Sequence, residues 1–88
     1  MVRKNVVVLT KTGLHARPAN ILLKKAKTYD SKVLIALDGK EYNAKSMVGI
    51  LGAGVECGME IDIVCNGEDE EKACNEIVEM IKSGGLGE

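Results

Sequence analysis

Residues 10–20 read T-K-T-G-L-H-A-R-P-A-N. The stretch follows a β-branched run, Val6, Val7 and Val8, and precedes apolar residues recurring at helical spacing, so it predicts a strand-to-helix junction. It holds the chain's single histidine, His15, and its single proline, Pro18. Gly13 permits a turn that a side chain would resist. His15 then falls where a helix begins, with Ala16, Arg17 and Pro18 in the first turn. A helix start carries unpaired N–H donors and the positive end of the macrodipole, and so favours a bound anion. Pro18 has no N–H, which leaves the amides of Ala16 and Arg17. A nucleophilic imidazole, two amides and a guanidinium together suit a phosphoryl group. A residue before proline is biased away from helical angles, so the helix starts either at Ala16 or at Pro18 with Arg17 half inside it.

Outward from this junction, residues 3–9 predict a first strand and residues 16–27 a helix, with Ala19, Leu22, Leu23 and Ala26 apolar. Arg17, Asn20, Lys24 and Lys27 form the opposite stripe, three cations on one exposed face. Residues 32–37 predict a second strand and Asp38-Gly39 a hairpin turn into a third over 40–43. Ser46 is placed to cap a short helix over 47–51, which exits through glycines. Residues 59–65 alternate as a strand with one wet face, and the acidic run Glu68, Asp69, Glu70 and Glu71 suits the first turn of a last helix ending near Gly84. The element order is β-α-β-β-α-β-α, an α+β fold in a single domain over residues 1–88.

Composition narrows the function classes. Apolar residues make up 45% of 88, with two Tyr and neither Phe nor Trp, so the core must be aliphatic. A net charge of −1 gives no global field for nucleic acid or membrane, so electrostatic recognition must be a local patch. The opening apolar run is too short for a signal peptide, and no stretch is long enough to span a bilayer. Cys57, Cys65 and Cys74 lack a C-x-x-C pattern and have one histidine for company, which argues against zinc and for reduced thiols in a cytoplasmic protein. No phosphate-cradling or dinucleotide-binding glycine motif occurs, so no cofactor is expected.

The segment G-L-H-A-R-P-A at 13–19, with N-A-K-S-M-V-G-I-L at 43–51 and the ending G-L-G-E at 85–88, closely resembles HPr, the histidine-containing phosphocarrier family of the bacterial sugar phosphotransferase system. The resemblance covers nearly the whole chain. It implies an open-faced β-sandwich with strand order 1-4-2-3, helices on one face only, and a monomer. It implies that enzyme I, charged by phosphoenolpyruvate, phosphorylates the δ1 nitrogen of His15, and that His15 passes the group to IIA domains of sugar permeases, assisted by Arg17. Such a protein is a stoichiometric carrier and no enzyme. Imidazole suits the task because its ordinary pKa near 6.5 leaves much of it neutral at cytoplasmic pH.

Ser46 matches the family's regulatory serine, phosphorylated by HPr kinase/phosphorylase to suit a catabolite-control transcriptional regulator. Asn20, Lys24, Lys27, Met47, Val48 and Leu51 match the partner-docking surface. Two departures fall there: family members often carry Met where this chain has Val48, and Thr or Ser where it has Asn20. The alternatives are a purely regulatory HPr-like corepressor, a class that lacks the active-site histidine, and a nitrogen-system paralogue. A small enzyme using a Cys–His pair is disfavoured because no cysteine lies near His15 along the chain.

Overall fold

The computed structural model describes residues 1–11 and 13–84; Thr12 and the G-L-G-E ending lie outside the described residues. Among those described, the order is β1 (Val2–Val7), α1 (Ala16–Ala26), β2 (Lys32–Leu37), β3 (Lys40–Asn43), α2 (Met47–Gly52), β4 (Glu60–Asn66) and α3 (Glu70–Lys82). The strands form one antiparallel sheet in the order β1-β4-β2-β3, as the resemblance implies.

Alternation along the strands fixes the two faces. Val6, Val33, Ile35, Ile61, Ile63 and Cys65 point into the core with Leu22, Ile50, Ile77 and Ile81 from the three helices. On the other face Arg3 donates to Asp62 at 2.8 Å and the Asn5 amide donates to the same carboxylate at 3.0 Å. That face is not uniformly wet: Val64, flanked by Leu34 and Arg3 in the neighbouring strands, and Ala36, flanked by Asp62 and Glu41, are buried there, outside the main core.

Element ends moved by one or two residues. β1 ends early as a regular strand, but Val8 continues the pairing, accepting from the Gly58 amide at 2.7 Å and donating to the Met59 carbonyl at 3.0 Å. The last helix starts at Glu70, two residues beyond the first acid, because Asp69 is used otherwise. Its carboxylate accepts from the Asp30 amide at 3.0 Å, the Ser31 amide at 2.9 Å and the Ser31 hydroxyl. Ser31 is fully buried, so this carboxylate satisfies polar groups that would otherwise be stranded. Gly67 packs so tightly on Ser31 that a Cβ would lie 2.6 Å from its Cα.

A second tie crosses between α1 and α3. The Tyr29 hydroxyl donates to Glu76, and Lys25 lies 3.6 Å from the same carboxylate. Burial, then the Glu76 hydrogen bond, pushes the Tyr29 phenol well above its usual range, so it is a neutral donor at all physiological pH.

The hydrogen bonds from Ser31 and the Asp30 amide hold Asp69 below the usual carboxylate range. A carboxylate with a folded pKa below its unfolded value adds stability above the unfolded pKa, about 4, which is lost as pH falls through the folded value. Asp69→Ala should therefore lower the thermal midpoint at pH 7, and the gap from the parent should narrow steadily below about pH 4. Calorimetry across pH 2.5–7 measures it; a gap independent of pH would remove the charged form of Asp69 from the account.

Candidate functional site

The junction after β1 is shaped by backbone contacts. The Gly13 amide donates to the Thr10 carbonyl at 2.9 Å, turning the chain, and the Leu14 amide donates to the Val55 carbonyl at 2.9 Å. Gly13 has φ +66°, and a Cβ there would stand 2.4 Å from the Val55 carbonyl oxygen and 2.6 Å from the Glu56 Cα. Only glycine fits both the dihedral and the space. Leu14 is then buried and His15 emerges exposed.

His15 is the N-cap of α1, with extended backbone angles (φ −86°, ψ −169°), and its carbonyl accepts from the Ala19 amide at 2.8 Å. The helix thus starts at Ala16, the earlier of the two expected positions. The first-turn amides of Ala16 and Arg17 have no carbonyl one turn back within the helix. The His15 side chain makes no capping bond, so its ring is not committed to the backbone. Ala16 and Arg17 are exposed beside it, whereas Pro18 is buried and anchors the turn. Imidazole, guanidinium and two amides therefore meet at one helix end, a combination that can receive and stabilise a phosphoryl group.

The expected docking residues divide. Asn20 and Lys24 are exposed on α1, and Lys27 is exposed at its C-cap. Helix α2 packs against α1. There Val48 is 82% exposed and Leu51 45%, but Met47 is half-buried and packs against the core. Met47 is thus partly structural, because a six-residue helix must anchor itself with more than Ile50. Ser46 caps α2, accepting from the Gly49 amide at 3.3 Å. Gly49 in turn lies so close to β3 that a Cβ would sit 2.4 Å from the Asn43 carbonyl oxygen.

Sequence reasoning missed the other wall of the site. His15 shares a shallow depression of about 430 Å³ with Lys11, Glu56 and Cys57. The premise that no cysteine lies near His15 holds along the chain and fails in space. The depression does not make a catalytic pair, because among the described residues no third group bonds and orients the His15 ring. Nor do any three described His, Cys, Asp or Glu side chains form a group able to hold a metal ion. Cys57 is the exposed thiol; burial pushes Cys65 up to about 12 and raises Cys74 as well, leaving both as inert core thiols.

Residues 2–83 match the family model for the PTS HPr component phosphorylation site. The chain belongs to the HPr family. It is 40% identical over 83 residues to the phosphocarrier protein HPr of Borreliella burgdorferi, covering 94% of this chain and 96% of that one. It is 38% identical over 82 residues to the HPr-like protein Crh of Bacillus subtilis, covering 93% and 96%. Among solved structures, HPr-C-His from Thermoanaerobacter tengcongensis superposes with a TM-score of 0.93 at 36% identity, covering 100% of this chain and 98% of that one. An HPr dimer from the same organism superposes at 0.75, with 36% identity and full coverage of both chains. No described helix is long and apolar enough to cross a membrane.

The close approach at Gly13 generates a prediction. Gly13→Ala should cost at least about 2 kcal/mol, a fall in thermal midpoint of roughly 10 °C in a chain this short. Thermal unfolding followed by circular dichroism measures it; an unchanged midpoint would show that the loop has room the structure does not give it.

Proposed function

We propose that this chain is a phosphocarrier of the phosphoenolpyruvate-dependent sugar phosphotransferase system, accepting a phosphoryl group on His15 from enzyme I and passing it to IIA domains of sugar permeases in the cytoplasm. The observation that carries the reading is the exposed His15 ring at the start of α1, beside Arg17 and the open amides of Ala16 and Arg17. In each half of the cycle a ring nitrogen forms or breaks one N–P bond. The electron pair of the breaking bond returns to the leaving nitrogen, and the imidazole ends unmodified. Helix-end amides and the guanidinium offset the charge of the phosphorylated state, while positioning comes from the docked partner. The protein is thus a co-substrate, consumed and regenerated, with no turnover of its own.

Arg17, Asn20, Lys24 and Lys27 supply a polar, cationic stripe beside the exposed Val48 and Leu51. Such a surface suits partners that present acidic groups around an apolar patch, and the cations steer their approach. The expected monomer stands against a solved HPr dimer; sedimentation velocity at micromolar concentration distinguishes them, and the carrier reading needs His15 exposed in either case.

Incubation with enzyme I and phosphoenolpyruvate should add one acid-labile phosphate, seen by intact mass, and His15→Ala should abolish it. Phosphorylation of His15→Ala by enzyme I would overturn the assignment.

A second, regulatory role rests on Ser46. A phosphate there would lie at the N-terminus of α2, where the dipole and amides tolerate it, so the fold survives modification. It would also place about −1.5 to −2 charges beside the exposed Val48 and Leu51. Enzyme I then loses an apolar contact surface, while a catabolite-control regulator with basic groups gains one; HPr kinase/phosphorylase would be the modifying partner. Ser46→Asp should slow phosphorylation of His15 by enzyme I by about tenfold, roughly 1.4 kcal/mol of lost docking, with the thermal midpoint nearly unchanged. Rapid-quench measurement of the transfer rate checks it; a parent-like rate would leave Ser46 a helix cap alone.

A further inference from the structure

The depression beside His15 contains a charge of the wrong sign for a phosphate seat. Glu56 lines it together with Lys11 and Cys57. Its position does not drift with a mobile loop. The Leu14 amide is bonded to the Val55 carbonyl, and a Cβ on Gly13 would stand 2.6 Å from the Glu56 Cα, so the segments carrying Glu56 and His15 are packed backbone to backbone. The Glu56 carbonyl also accepts from the Met59 amide at 3.1 Å, closing the turn in which the residue sits. Glu56 is exposed, and its carboxylate takes part in none of the salt bridges found among the described residues. It neither caps a helix nor completes a core.

We propose that Glu56 is an electrostatic tuning residue for the phosphorylated state of His15, destabilising the phosphohistidine so that its phosphoryl group stays transferable. The inference rests on the carrier reading of His15. A carrier must hold its cargo loosely enough to pass it on. Arg17, Lys11 and the amides at the start of α1 all favour a bound dianion. Left unopposed, they would deepen the phosphorylated state at the expense of the next transfer.

A carboxylate carried on the wall of the same depression opposes them. It repels the dianionic phosphoryl group across the depression. In hydrolysis the N–P bond breaks, its electron pair returns to the ring nitrogen, the water oxygen takes the phosphoryl group, and the protons of that water are shared between ring and inorganic phosphate. The loose transition state carries less charge on the transferring group than the ground state does, so the repulsion is relieved as the bond breaks. For a dianion and a carboxylate facing each other across water at physiological salt, the effect corresponds to about two- to fivefold in rate or equilibrium.

The test uses phosphoramidate, a chemical phosphoryl donor, so that enzyme I is not needed. Parent, Glu56→Gln, Glu56→Asp and, as a charge control on the exposed side of α3, Glu79→Gln are phosphorylated at their single histidine. Loss of the phosphate is followed by phosphorus NMR at about 20 mM and about 1 M salt. At low salt Glu56→Gln should lose phosphate about two- to fivefold more slowly than the parent, Glu56→Asp should follow the parent, and the difference should collapse at high salt. Thermal midpoints should agree, since the side chain supports nothing. A parent-like decay of Glu56→Gln, an equal slowing in Glu79→Gln, or a difference that survives high salt overturns the proposal. Failure of enzyme I to phosphorylate the parent would instead count against the carrier reading, and the decay rates would still decide the role of Glu56.

Discussion

The site depends on one close approach, that of Gly13 to the backbone of Val55 and Glu56. The chain leaving β1 must turn, bury Leu14 and begin a helix within a few residues. It can do so only because Gly13 adopts a left-handed conformation and lets two backbones meet without an intervening side chain. The Leu14–Val55 hydrogen bond then fixes the approach, and His15 is delivered to the surface as the N-cap of α1. The two walls of the site come from distant parts of the chain: α1 supplies Arg17 and the open amides, and the turn after α2 supplies Glu56 and Cys57. Without the glycine contact these would be two unrelated surface features.

Behind that surface the molecule is tied down. Asp69 and, through the Tyr29–Glu76 bond, Glu76 both join the α1–β2 turn to α3, and Lys45 donates to the Tyr29 carbonyl at 2.7 Å. These ties sit away from His15 and use polar groups that are fully partnered; no buried side-chain nitrogen or oxygen among the described residues lacks a hydrogen bond. The front is treated oppositely. His15 has no side-chain cap bond, and Val48 and Leu51 stand in solvent. The proposed docking role fits that division, because a group already satisfied by its own fold has little left to offer a partner.

Much of this was legible in sequence, for reasons that differ by element. The limits of β2 and β3 follow from alternation and from Asp38-Gly39, where both residues take the positive φ that a two-residue hairpin demands. The Ser46 cap follows from a serine just ahead of a short apolar run, and the cationic stripe from steps of three and four. Local pattern allows two starts for the helix at His15, because proline's local bias competes with a tertiary anchor, the buried Pro18 ring, that no local rule contains. Glu56 and Cys57 were invisible as site residues. They lie some forty positions from His15 in a stretch that reads as a glycine-rich exit, and only the Gly13 contact brings them near. Asp69 read as one more acid at a helix start, because a carboxylate that reaches across to another turn leaves no periodic trace.

The distribution of charge follows the same logic of local balance. A net charge of −1 leaves no overall field, so each surface must make its own. The stripe from Arg17 to Lys27 is positive, the start of α3 is negative, and on the open sheet face Arg3 pairs with Asp62. At His15 the two signs are brought to one place. Arg17 and the α1 amides stand on one side, and Glu56 stands in the depression with Lys11 on the other. A site built only to bind phosphate would exclude the carboxylate, as anion sites at helix starts gain nothing from one. A site that must give phosphate up gains from it, because the ground state it strains is the state that has to be left. On the proposed carrier reading, mixed charge at His15 suits a relay, whereas a purely basic pocket would make a better trap than a carrier.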